Sequence, residues 1–279
     1  MPVSRTIEQT LLARDRRGVA ALASSLPADY CVQAARFVLE RPGPVLIVTG
    51  FYILAADAPE TDGPAGALVL GNALEALDYP VGYVTDRYTA PLLKAEVPQA
   101  LVHTFPMAGE GESGAFAEEL LAHVQPTLLV AIERCGRSRD GLYRNMRGED
   151  ISPQTARTDE LFLRHAESIG IGDGGNEIGM GNLHDHVLAV PSLVREPCIV
   201  QVRRLVIAAV ANWGAYGLVA ALSRLTGREL LPSVHEHGAL LQRLVALGAV
   251  DGITAARDGS VDGFSLAENL EVLAELARA

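Results

Sequence analysis

The chain has 279 residues, 49% of them apolar, and a formal net charge of −11 at pH 7. That length suffices for one large α/β domain or two small ones, with a core that buries most of the apolar surface. The acidic balance excludes nucleic acid as the main partner, because phosphate binding needs a basic footprint. No apolar run reaches the roughly 18 residues of a membrane span. Three scattered cysteines, Cys31, Cys135 and Cys198, make neither a disulfide framework nor a zinc-thiolate site. The first residues include Glu8 and Asp15 and lack the apolar core of a secretory signal, which points to a cytoplasmic protein.

In chain order, Ile7, Leu11, Leu12, Val19 and Leu22 are spaced for one helical face, and Pro27 separates them from a second helix through Leu39. Arg41-Pro-Gly-Pro44 marks a boundary. Beyond it the pattern predicts a strand at 45–49, a helix at 64–77, strands at 81–85 and 101–105, a helix at 114–124 and a strand at 127–132. Weaker strand signals lie at 168–171, 187–190 and 205–209, and 212–217 reads as a strand-to-helix turn. From Ser233 onward, two helices joined by the loop 251–263 read as a structural flank. Short apolar runs alternating with helices predict parallel strands joined by right-handed crossovers. The expectation is a Rossmann-like, three-layer α/β fold in a single domain over 1–279, with helical segments at 1–41 and 233–279.

The densest chemical signal is 168–181, SIGIGDGGNEIGMG, which sets Asp173, Asn176 and Glu177 among glycines. Glycine at that density permits close approach to the main chain. Carboxylates within it suit a cation better than a phosphate. Glu60 and Asp62 precede the helix at 64 and are read either as cap and turn residues or as hard oxygen ligands for magnesium or manganese. Thr49-Gly50, Asp86, Glu133 and Asp173 follow predicted strands, and the carboxyl ends of parallel strands share one edge, where ligands bind. Arg134, Arg137, Arg144 and Arg147 gather in one stretch that can fork onto a carboxylate or pair locally with Asp140, Glu149 and Asp150. Cys135 has no histidine near it in sequence, so a nucleophilic thiol is not expected. The triplets His184-Asp-His186 and His235-Glu-His237 mark no third ligand and are read as structural or exposed.

The GDGGNE segment resembles the GDGxND metal loop of haloacid dehalogenase-type phosphatases. That family also needs DxDG[TV] at the end of its first strand, whereas ETDGP here begins with Glu60 and lies well past Thr49. A broader likeness runs through TGF (49–51), PETDGPAGA (59–67), VTD (84–86), IERCGR (132–137), GLYRNMRGEDIS (141–152), SIGIGDGGNEIGMGN (168–182) and VANWGAYGLVAAL (210–222). This ordered series, with AVDGIT and SVDG near the end, resembles the C-terminal domain of D-glutamate cyclase. The stretch 162–168 is shorter than is usual in that family.

The resemblance implies an α/β domain with an acidic pocket for Mg²⁺ or Mn²⁺, and a hydro-lyase that converts D-glutamate to 5-oxo-D-proline and water. On position, Glu60, Asp62, Asp173, Asn176 and Glu177 are the expected metal ligands. Glu133 or Asp86 is the expected base, and Arg137 is a further catalytic candidate. Arg134, Arg137, Asn145, Arg147 and Asn212 are the expected substrate contacts. The partner is then a small acidic metabolite, and self-association is left open. A metal-dependent phosphatase and a non-catalytic metal-binding protein remain the alternatives.

Overall fold

In the computed structural model, which describes residues 5–279, the apolar run at 45–49 is a strand buried at every position (β1, Val45–Thr49). Val45 and Ile47 turn to one core, and Leu46 and Val48 to another on the opposite face. This is the pattern of a central strand covered on both sides. A short antiparallel hairpin follows, β2 (Tyr52–Ile53) with β3 (Ala58–Pro59). The remaining strands are β4 (Val81–Thr85), β5 (Val102–Thr104), β6 (Leu128–Ile132), β7 (Ser168–Gly172) and β8 (Arg204–Ile207). With β1 these five form one six-stranded sheet in the order β5-β4-β1-β6-β7-β8, parallel at every pairing. The chain builds outward from β1 through β4 to β5, then returns to β6 on the other side of β1. That reversal is a topological switch point, and it opens a crevice at the carboxyl ends of β1 and β6.

One face of the sheet carries α1 (Ile7–Leu12), α2 (Tyr30–Leu39), α3 (Pro64–Ala76) and α4 (Ala90–Glu96). The opposite face carries α5 (Glu110–Val124) and α6 (Asp159–Arg164), through Ala117, Leu120, Leu161 and Phe162. After α7 (His184–Leu188), the long α8 (Ala211–Thr226) packs against α2 and α3, and α9 (Val234–Ala246) and α10 (Leu266–Leu276) add an outer layer. Helices lie on both faces, as expected for a three-layer α/β fold. Capping boxes at Thr6, Ser233 and Ser265 start α1, α9 and α10 by satisfying otherwise unpaired amides.

Three local expectations are corrected. Residues 187–190 are not a strand: β8 takes the sheet edge beside β7, and Val190 N–H turns back to Val187 O at 3.0 Å. The second apolar group of the N-terminal run, Val19–Ser25, is 3₁₀ rather than α. Residues 212–217 are helix rather than turn, because α8 already starts at Ala211. Asp62 Oδ2 accepts from Ala211 N–H at 3.0 Å and Asp62 Oδ1 from Asn212 N–H at 2.7 Å. The cap therefore comes from a segment about 150 residues away, so no local pattern marks it. The short connection before the glycine loop closes directly: His165 links α6 to β7 through contacts with Glu167 O and Pro126 O.

Candidate active site

The crevice at the switch point is lined by several separate segments. Glu60 comes from the segment after the β2–β3 hairpin and Glu133 from the end of β6. Asp173 and Asn176 come from the glycine loop, and Gly252, Ile253, Ala255 and Asp262 from the C-terminal loop. Arg17 enters from the segment after α1, while Asn145, Met146, Arg147 and Glu149 form part of the mouth. Backbone strain concentrates here. Glu133, Ala255 and Asp262 hold left-handed φ values of 44°, 57° and 53°, a conformation side chains normally avoid. Gly63, at φ 90°, has no room for a side chain: a Cβ would sit 2.6 Å from Thr49 Oγ1 and 2.9 Å from Glu133 Cβ. Glycine there lets the chain leading into α3 lie against the ends of β1 and β6.

Glu177 organises the glycine loop. Its Oε1 accepts from Asp173 N–H (2.9 Å) and Gly174 N–H (2.6 Å), and its Oε2 from Gly175 N–H (2.7 Å). Asp62 is likewise committed to main-chain amides, accepting from Gly63, Ala211 and Asn212. Asp251 ties the C-terminal loop together through Ile253, Thr254 and Gly263 N–H. These three acids shape the pocket. Three others have buried oxygens with no hydrogen-bond partner among the described residues: Glu60 Oε1, Glu133 Oε2 and Asp173 Oδ1.

The charge imbalance is large. Six carboxyl groups (Glu60, Asp62, Glu133, Asp173, Glu177 and Asp262) gather around one guanidinium, Arg17, whose Nη2 lies 2.6 Å from Asp173 Oδ2 and 2.7 Å from Asp262 Oδ2. Burial raises the proton affinity of Glu60, Glu133 and Asp173 well above the usual carboxylate range. Asp262 and Asp62 reinforce the shift at Glu60, and Asp173 and Glu177 reinforce it at Glu133. Asp62 is pushed up to about 7 by burial and by Asp262. Asp173 and Asp262 hold Arg17 charged, against burial that opposes its charge. Two groups have ligand atoms mutually within 4.8 Å, Asp62–Asp173–Asp262 and Glu133–Asp173–Glu177. Hard oxygen donors around an uncompensated negative charge fit a magnesium- or manganese-type ion.

Comparison with known proteins matches residues 8–277 to the family described as D-glutamate cyclase-like, C-terminal. The chain belongs to this family. Human mitochondrial D-glutamate cyclase is 36% identical over 211 residues, 67% of this chain. The match spans 34% of that human protein, about a third of its length. A solved structure of an exopolyphosphatase-related protein from Bacteroides fragilis covers 90% of the chain and 57% of its own, at TM-score 0.43 and 10% identity, which is too distant to carry a functional reading.

In this D-glutamate cyclase-like chain, the residues singled out from sequence divide into three groups. Glu60, Glu133, Asp173, Asn176, Asn145 and Arg147 line the crevice. Asp62 and Glu177 adjoin it, but both carboxylates are occupied by backbone amides. Asp86, Arg134, Arg137 and Asn212 do not line it, and their bonds explain why.

Arg134 is fully buried and spends four N–H groups on Asp86 Oδ2 (2.5 Å), Gly50 O (2.6 Å), Ala156 O (2.8 Å) and Thr158 Oγ1 (3.1 Å). It ties the ends of β1, β4 and β6 together and has no fork left for a substrate. Asp86, its partner, also caps the turn at Tyr88 and Thr89, so neither the base role nor the substrate contact fits this pair. Arg137 is held by Asp159 and Glu160. Asn212 Oδ1 accepts from Gly63 and Gly66 N–H, and its Nδ2 donates to Thr61 O.

Of the rest of the arginine stretch, Arg144 pairs with the nearby Asp140 and with the distant Glu196, and Arg147 forms no ion pair among the described residues. Cys135 is buried with its pKa pushed up by desolvation, consistent with a packing role. His237 is buried against Tyr216, with burial lowering its pKa to about 4. No histidine joins a potential metal group among the described residues.

Arg17 and Asp262 were missed from sequence, and the reading of 233–279 as a purely structural flank is corrected, because its loop supplies one wall of the crevice. One local signal was present: Val-Asp-Gly occurs twice, at 250–252 and 261–263, placing Asp251 and Asp262 at equivalent positions. Arg17 sits in the polar run ARDRRG, where nothing separates it from Arg14 and Arg16.

Proposed function

We propose that this chain is a divalent-cation-dependent cyclase that converts D-glutamate to 5-oxo-D-proline and water. The observation that carries the reading is the set of three buried, unpartnered carboxylate oxygens (Glu60, Glu133 and Asp173) in one crevice at the switch point of a D-glutamate cyclase-like chain. In the reaction the α-amine nitrogen bonds to the carbon of the γ-carboxyl group, one C–O bond of that group breaks, and its oxygen leaves as water.

Glu133 and Asp173 are the best-placed ligands, since they share one group of mutually close carboxylates and each keeps a buried oxygen without a partner, whereas Arg17 pairs with Asp262 and the other oxygen of Asp173. A cation bound there would polarise the γ-carboxyl group and offset the negative charge of the pocket. Glu60 is a better base than Glu133 in this arrangement. Its unpartnered Oε1 and its raised proton affinity suit a group that relays, in turn, the two protons the ammonium loses to the oxygen that departs as water. Gly252 lies close enough to Glu60 Oε2 that a Cβ there would collide with it, so the C-terminal loop fixes that carboxylate from behind. Glu177 and Asp62 hold the glycine loop and the α8 start in register around these groups.

Chiral chromatography of D- and L-glutamate after incubation with Mn²⁺ or Mg²⁺ tests the reading. Consumption of the D-isomer with equimolar 5-oxoproline supports it. Release of phosphate from small phosphoesters without lactam formation points to the phosphatase reading. Cation binding with neither activity points to a binding protein.

A further inference from the structure

The crevice must admit a substrate with two carboxylates into a pocket already crowded with negative charge. One cation is built into its wall. Arg17 has five N–H groups in a planar fork, and its contacts with Asp173 Oδ2, Asp262 Oδ2 and Ala209 O all fall on Nη2. Nε and Nη1 have no partner among the described residues, and the side chain keeps 18% exposure while lining the cavity. Nη2 is thus clamped, while the N–H groups of Nε and Nη1 stay free. Asp15 fixes the backbone at and just after Arg17, its carboxylate accepting from Arg17, Gly18 and Ala20 N–H at 2.9–3.1 Å. The fork is pre-oriented before any ligand arrives.

We propose that Arg17 is the anchor for the substrate's α-carboxylate and sets the preference for an α-amino dicarboxylic acid. This inference rests on the cyclase reading for the identity of the substrate. The γ-carboxyl group is the reacting one, so it belongs near Glu60 and the cation ligands. The α-carboxylate is a spectator retained in the product and can be gripped throughout. The free N–H groups of Nη1 can meet it with charge-assisted N–H···O bonds, held in place by the contacts on Nη2. Arg134 and Arg137, whose guanidinium groups are engaged elsewhere, do not line the cavity, and Arg147 stands exposed at the mouth.

The test separates an anchor from a mere counter-ion. D-Glutamate, 5-oxo-D-proline and the α-amide of D-glutamate are titrated calorimetrically into Mn²⁺-loaded wild type, Arg17→Lys and Arg17→Ala, with steady-state kinetics alongside. Loss of the guanidinium should weaken D-glutamate and 5-oxo-D-proline binding about tenfold or more in both variants, because lysine keeps the charge but is too short to hold the Nη2 contacts and reach the position of Nη1 together. KM should rise more than kcat falls in Arg17→Lys. Wild type should reject the α-amide, whereas Arg17→Ala should not discriminate. Wild-type-like binding of both ligands by Arg17→Lys overturns the inference. So does equal binding of D-glutamate and its α-amide by wild type, a comparison that requires no variant to fold. Binding without lactam formation by wild type would refute the cyclase reading and leave the anchor standing. Normal lactam formation with an unchanged KM in Arg17→Lys would do the reverse.

Discussion

Replacing Glu177 with Gln gives opposite signs for two roles of that residue. If Glu177 were simply one more acid in a crowded cluster, neutralising it would relieve repulsion with Glu133 and Asp173 and stabilise the cation-free protein. Its three bonds to Asp173, Gly174 and Gly175 N–H predict the reverse. A bond from an amide to a charged acceptor contributes about 1.5–3 kcal/mol, and a buried donor left unpaired costs about 1–3 kcal/mol. Glutamine keeps one oxygen for two of the amides but turns an NH₂ group towards the third. The expected loss is about 2–3 kcal/mol, or a fall in Tm of about 5 °C for a chain of this size. Thermal unfolding by circular dichroism in EDTA, at matched pH, reads it directly. An unchanged or higher Tm for Glu177→Gln would refute the role of loop organiser.

Arg134→Met should fall further, by about 3–5 kcal/mol, because it leaves Asp86 buried without its partner. Chemical denaturation measures that loss, and a variant as stable as wild type would return Arg134 to the list of substrate contacts. Gly63→Ala forces a side chain onto Thr49 and Glu133 at a left-handed φ, so a loss of more than about 1 kcal/mol is expected in the same assay. The cation-free protein should also lose stability as pH rises from about 4 through 7. The Asp62 carboxyl titrates near 7 when folded and near 3.8 when unfolded, so over that interval the folded state holds the extra proton. Mn²⁺ should reverse much of the loss, and a Tm in EDTA that climbs steadily over this range would contradict the shift.

The sheet was legible because its strands carry their own signal. Val45–Thr49 and Leu128–Ile132 are unbroken apolar runs, and such runs between helices define a parallel sheet. The acids at strand ends were legible for the same reason, since parallel strands align their carboxyl ends. Hydrogen bonding between distant segments was not. Asp62 starts α8, Asn212 caps α3 through Gly63 and Gly66, and Arg134 locks Asp86, each across a long stretch of chain. A polar side chain at a strand end can serve either the scaffold or a ligand, and residue type does not distinguish them. Arg17 and Asp262 were hidden more deeply, because the segments after α1 and after α9 meet at the crevice only through tertiary packing.

Manganese titration by calorimetry on wild type, Glu133→Gln, Asp173→Asn and Glu60→Gln tests most directly whether the unpartnered carboxylates form a cation-dependent active site. Glu133→Gln and Asp173→Asn should each lose about tenfold or more in Mn²⁺ affinity, whereas Glu60→Gln should still bind the ion but no longer form 5-oxo-D-proline. Wild-type Mn²⁺ affinity in both Glu133→Gln and Asp173→Asn would contradict it.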